Sequence, residues 1–155
     1  MITIRTATMA DAKMLAELRW EFRSGRAEPT TESHDAFVRR CTAWMRRELP
    51  EGSPWRAWVA VQDNAIAGQV WLRVVPKIPN PMEEEEETLA YISNLFVQLP
   101  ARGGTGRRLL DAAIDWCRKN DIDRVVLWPT KRSVSLYISH GFSHGGDVME
   151  LKIRS

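Results

Sequence analysis

The stretch best equipped for chemistry is Leu95–Leu110, LFVQLPARGGTGRRLL, where an apolar run passes through a glycine-rich turn into an amphipathic helix. Gly103, Gly104 and Gly106 let the backbone take positive φ and come close to a ligand. A helix beginning at Thr105 offers unpaired N–H groups and the positive end of its dipole. The amides of residues 103–107 are therefore a candidate cradle for an anion such as a pyrophosphate, with cationic reach from Arg102, Arg107 and Arg108. Glycine-rich turns also serve close packing, so the reading rests on the position of this one between a buried strand and a helix. A phosphate loop of the form G-x-x-x-x-G-K-[ST] is excluded, because no lysine follows these glycines. A dinucleotide-binding turn is excluded by the glycine spacing and by the three antiparallel-patterned strands that come first.

Other chemistries find less support. His34, His140 and His144 are scattered, and a His140–His144 pair with no cysteine or acidic ligand beside it does not predict a metal. No serine sits in a nucleophile-elbow pattern. Cys41 and Cys117 fall in helical segments with no histidine nearby in sequence; they read as reduced core thiols, with a disulfide as the alternative.

The elements that must position the glycine turn follow from periodicity. Ile2, Ile4 and Thr6 alternate as a first strand, and Thr8 with Asp11 forms a capping-box-like start to a helix through Phe22. Polar residues 26–32 read as a loop, and a second helix spans about 33–48. Trp55–Val61 and Ile66–Val75 form a hairpin across Asp63-Asn64. Residues 76–87 carry three prolines and five glutamates and read as a solvated loop. Leu89–Val97 is a buried strand, 105–119 a helix, Asp123–Trp128 a strand, 132–139 a short helix, and Val148–Ile153 a closing strand. This order predicts an α/β fold, one mixed and mostly antiparallel sheet flanked by helices. At 155 residues, 44% hydrophobic and 27% charged, the chain reads as one globular domain over 1–155. A net charge of +2 argues against nucleic-acid or membrane partners. No leader or spanning segment is evident, so a cytoplasmic location is expected.

Gly104-Thr105-Gly106 with Arg107–Leu110, and the late segment Leu136–Phe142 (LYISHGF), together resemble two motifs of the GNAT superfamily of N-acetyltransferases. Gly104-Thr105-Gly106 followed by Arg-Arg-Leu-Leu is similar to the end of its [QR]-x-x-G-x-[GA] turn, and Leu136–Phe142 (LYISHGF) to its late L-Y-x-x-x-G-F segment. The resemblance implies a CoA pyrophosphate held by the turn amides and acetyl-CoA as co-substrate, with no metal. It implies direct attack by the primary amine of a small molecule or peptide on the thioester. Tyr137 takes the place of the general acid. A backbone N–H near Phe96 or Val97, on a strand that bulges and splays, takes that of the oxyanion donor. Tyr91 stands where some members carry a glutamate base; Glu87, another residue of 83–87, or a water chain through Tyr91 and Asn94 are the alternatives. Ala101 occupies the usual Gln/Arg place, with Arg102 one position late as the candidate substitute. Thr130 and Ser133 stand where an asparagine and an alanine are common.

For the acceptor, residues 19–33 and 76–88 are the implied walls. Arg19 and Arg23 suit a carboxylate-bearing acceptor, whereas the glutamate run suits a polyamine or aminoglycoside. Trp20 and Trp71 are further candidates for the pocket lining. A homodimer through the last strand's edge fits the family. A non-catalytic acyl-CoA sensor of the same fold is the alternative function.

Overall fold

The computed structural model describes residues 1–26, 28–82, 84, 86–146 and 148–154. Among these residues one sheet has the strand order β1 (Ile2–Thr6), β2 (Trp55–Gln62), β3 (Ala65–Pro76), β4 (Thr88–Val97), β5 (Arg124–Val126). The first four pair antiparallel, and β4 with β5 is parallel. The hairpin turn uses Asp63 and Asn64 at φ 50° and 62°, the left-handed pair that matches strand twist. Four α-helices accompany the sheet: α1 (Ala12–Ser24), α2 (His34–Glu48), α3 (Thr105–Lys119) and α4 (Val134–Ser139).

Alternation along β3 splits the core in two. Val70 and Leu72 face Leu109, Leu110 and Ala113 of α3, while Trp71 faces Leu15 and Ala16 of α1 and Val38 and Met45 of α2. The parallel crossover β4–α3–β5 delivers the start of α3 to the carboxyl end of β4, and so sets the glycine turn there. Cys41 and Cys117 are free, on helices belonging to different clusters. Burial pushes both thiols up, Cys117 to about 11, so they stay protonated.

Entry into α1 is fixed by Asp11, which accepts from the Thr8 amide at 2.8 Å and from both Arg5 guanidinium nitrogens at 2.8 and 2.9 Å. Asp11→Ala is expected to cost about 1–2 kcal/mol at pH 7. Hydrogen bonding from Arg5 holds the Asp11 carboxyl below its ordinary 3.8. Its contribution is therefore complete above that ordinary value and is lost as pH falls through the lower folded value. Urea melts of wild type and variant should differ at pH 7 and converge once the pH falls below the lowered folded value.

Two expectations need correction. Val148–Ile153 is not a strand: Val148, Met149, Leu151 and Ile153 are 69–96% exposed and no strand of the sheet pairs with them. Alternation without a ladder partner does not make a strand, and the edge expected to carry a homodimer is not formed. The strand read over Asp123–Trp128 holds the sheet only at Arg124–Val126.

Candidate functional site

The site begins where the sheet opens. On one side β4 is paired to β3 from Thr88 to Val97; on the other, β5 reaches only Leu89, Ala90 and Tyr91. Past Tyr91 that edge of β4 has no strand partner among the described residues, which leaves a slot between the two parallel strands. The slot coincides with a bulge. The β3–β4 register slips between Gln69 and Trp71, and Asn94 takes φ 59° in the unpaired step.

Beyond the bulge the ladder resumes, with the Gln98 amide bonded to Ala67 oxygen at 2.9 Å. Alternation in an antiparallel pair then turns the neighbouring Val97 amide and carbonyl away from β3, toward the slot, and the Phe96 amide toward Gln69. The Val97 carbonyl accepts from Arg102 Nε at 2.9 Å, as that orientation requires. Of the two candidate oxyanion donors, Val97 therefore faces the slot. Gly68 permits this approach: a Cβ there would lie 3.0 Å from Phe96 oxygen and 3.1 Å from Val97 Cγ2.

The glycine turn closes the end of the slot. Gly103 and Gly104 sit at φ 117° and 95°, and Gly104 caps α3. The first helical bond here runs from the Arg108 amide to Gly104 oxygen at 3.1 Å. The amides of Gly103, Gly104, Thr105, Gly106 and Arg107 have no acceptor among the described residues, as the first turn of a helix dictates. The buried Thr105 hydroxyl donates to Ala101 oxygen and ties the turn to the 3-10 segment Leu99–Ala101. The cationic side chains are partly committed: Arg107 bonds Ser139 Oγ at 3.1 Å, and Arg108 reaches back to Ile2 oxygen at 2.7 Å.

Tyr137 belongs to the buried cluster on the α3 side that also holds Val97, Ala101 and Leu109. The late motif explains its placement. Gly141 at φ 91° ends α4, with bonds from Gly141 N to Ile138 oxygen and from Phe142 N to Tyr137 oxygen, and Phe142 lands edge-on against the Tyr137 ring at 5.5 Å. The hydroxyl has no hydrogen-bond partner among the described residues. Burial raises the phenol to about 12, so it is neutral at physiological pH. Thr130 and Ser133 bond each other through their hydroxyls at 2.9 Å and lead into α4.

Tyr91 lies on the opposite side, in an aromatic line with Trp55 and the exposed Trp128, and donates to Ser93 Oγ at 3.2 Å. Asn94 Oδ1 accepts from Arg19 Nη1 at 3.1 Å. Glu87, an alternative base, accepts the Asn80 amide at 2.7 Å, and Glu86 pairs with Arg124 at 3.0 Å. Glu83 and Glu85 lie outside the described residues. Trp71 does not line a pocket: it is 2% exposed, and its indole donates to Gln69 Oε1 while Gln69 Nε2 donates to Leu15 oxygen. Trp20 borders a cleft with Arg19 and Arg23. Sequence reading missed Gln69, Gly68 and Ser93; a lone glutamine inside the apolar run AIAGQVWL was the available signal. Among the described residues no three His, Cys, Asp or Glu side chains gather to hold a metal, and no helix is long and apolar enough to cross a membrane.

Known structures share this fold. A predicted acetyltransferase from Clostridium acetobutylicum, crystallised with acetyl-CoA, superposes at a TM-score of 0.79 with 21% identity, covering 99% of this chain and 97% of that one. A GCN5-related N-acetyltransferase from Ralstonia eutropha gives 0.78 at 22% identity over 98% and 99%. Glucosamine-6-phosphate N-acetyltransferase from Arabidopsis thaliana gives 0.70 at 18% identity over 99% of each chain. At such identities the likeness is one of fold. No curated protein matches the chain. The model of the acetyltransferase (GNAT) family matches residues 13–142, taking in the open end of β4, the glycine turn and the Tyr137–Phe142 segment, and the chain belongs to that family.

Proposed function

We propose that this chain is one acetyl-CoA-dependent N-acetyltransferase domain that passes the acetyl group directly to a primary amine of a small molecule or peptide. The observation that carries this is the set of unpaired amides at Gly103–Arg107 placed at the end of a slot opened by the β4 bulge. The pyrophosphate sits on those amides, with Arg102 beside it, and the pantetheine arm runs in the slot along β4. Thr130 and Ser133 position α4 beside it. Attack by the amine nitrogen forms the C–N bond, and collapse of the intermediate breaks C–S and releases CoA thiol. The Val97 amide bonds the oxyanion, Phe96 holding the strand to β3.

Tyr137 serves the departing sulfur. A phenol near 12 gives its proton fully to a thiolate of ordinary pKa about 8.5 only uphill. Much of its effect therefore comes from a hydrogen bond that strengthens as charge builds on sulfur. On the acceptor side, the Tyr91–Ser93 hydroxyl pair offers a proton path to water. Asn94 positions the bulge through Arg19. A non-catalytic acyl-CoA sensor is favoured by one observation, that Glu87 is held by the Asn80 amide rather than turned to Tyr91.

The test is release of free thiol from acetyl-CoA across amino acids, polyamines, aminoglycosides and peptide N-termini, alongside thermal melts. Acetyl-CoA at about 100 times its Kd should stabilise the fold by about 2.7 kcal/mol, and ATP or NAD should not. Stabilisation without turnover of any amine selects the sensor; no stabilisation removes both readings.

A further inference from the structure

The acceptor side of the slot is cationic in a way the fold does not require. Arg19 and Arg23, one turn apart on the last half of α1, and Arg26, two residues past its end, line one wall of a cleft of about 320 Å³ closed by α2 and residues 28–32. None of the three has a carboxylate partner among the described residues. The carboxylates described on the cleft wall are Glu28 and Glu32, and Glu32 is held by Arg40 at 2.7 Å. Three cations thus face one uncommitted acid.

Arg19 is the least ordinary of them. It is half-buried, and its Nη1 meets a neutral acceptor, Asn94 Oδ1. Burial first, then the charges of Arg23 and, less, Arg26, lower its pKa. A guanidinium that is partly desolvated and repelled by its neighbours gains from any anion that joins it. Arg19 and Arg26 both lie 5.9 Å from the Phe22 ring, which stacks on Phe96 at 5.0 Å, so the cationic wall continues onto β4 at the slot.

We propose that the acceptor carries, besides its amine, an anionic group (a carboxylate or a phosphate) received by the Arg19, Arg23 and Arg26 wall. This rests on the acetyl-transfer reading. Arg19 meets β4 at Asn94, three residues before Val97, so the two are at most about 10 Å apart along the strand. Of the glutamate run, Glu86 and Glu87 are occupied by Arg124 and the Asn80 amide.

Matched amines test this: phenylalanine against phenethylamine for a carboxylate, O-phosphoethanolamine against ethanolamine for a phosphate, and spermidine as polycation. In at least one pair the anionic member should have kcat/KM at least about tenfold higher than its neutral partner, the two arms telling carboxylate from phosphate. Arg23→Gln should cut that preference about tenfold through KM for the acceptor with Kd for acetyl-CoA unchanged, and Arg19→Gln should cut it at least as far, with Arg19→Lys retaining part of it. Equal rates within both pairs, a preference for spermidine, or a preference that survives both glutamine variants would overturn the inference while leaving acetyl transfer intact. If acetyl-CoA binds but no member of the panel reacts, titrating inorganic phosphate into the CoA complex decides: saturable binding lost in Arg19→Gln supports the wall, and no binding overturns it. A protein that binds no acetyl-CoA overturns the acetyl-transfer reading itself.

Discussion

Tyr137→Phe is expected to lower kcat for acetyl transfer at least about tenfold while leaving the Kd for acetyl-CoA within about twofold. The separation follows from where the ring and the hydroxyl sit. The ring packs against Phe142 and the α3 cluster, contacts that phenylalanine keeps. The hydroxyl has no partner among the described residues, so its removal should change stability by no more than about 0.5 kcal/mol. The pH profile offers a second check. The phenol ionises only near 12, so an acid role predicts no alkaline limb from Tyr137 below about pH 10. Rates should rise with pH as the acceptor amine loses its proton, and then level. Folding favours the neutral phenol, so the stability linked to it is complete below the ordinary pKa of 10 and is lost as pH rises through about 12. Unchanged kcat in Tyr137→Phe would remove the residue from the chemistry.

Gly104→Val is expected to weaken acetyl-CoA at least about tenfold, with a loss of about 1–2 kcal/mol in stability. Gly104 adopts φ 95°, which a β-branched residue takes only with strain, and its added side chain would enter the open mouth of the turn. Gly106→Ala is the control. Its Cβ would meet Leu136 Cδ2 at 3.9 Å and Val97 Cγ2 at 4.0 Å, ordinary contacts, in the first turn of α3. Alanine there should keep acetyl-CoA affinity within about threefold and stabilise the helix by up to about 1 kcal/mol. Full affinity in Gly104→Val would mean the turn is a packing device and not a ligand cradle.

Elements whose burial and capping agree were legible in the sequence. The α3 boundaries, Thr105–Lys119, follow from its glycine start and its apolar face, and β2, β3 and β4 from alternation ended by Asp63-Asn64 and the proline loop. The closing strand was misread because Val148, Met149, Leu151 and Ile153 carry a strand's pattern without the partner that makes one. At the site, the glycine turn and the motif Leu136–Phe142 were visible because backbone conformation constrains residue type: Gly103, Gly104 and Gly141 all stand at positive φ. The bulge at Asn94 was not visible, since it depends on register against β3, a long-range property. The role of Gly68 was hidden for the same reason, because only the approach of β4 reveals what its missing Cβ makes room for. The commitments of Glu87, Arg107 and Arg108 likewise arise from partners distant in sequence.

The grip on the linked phosphates can be tested without any variant, by titrating acetyl-CoA and acetyl-pantetheine separately into the wild-type protein. The two share the acetyl thioester and the arm that enters the slot, and only the first brings a pyrophosphate to Gly103–Arg107. Acetyl-CoA is expected to bind at least about a hundredfold more tightly, close to 2.7 kcal/mol, and inorganic pyrophosphate to compete with it. Equal affinities, or no binding of acetyl-CoA at all, would contradict a phosphate cradle at the head of α3.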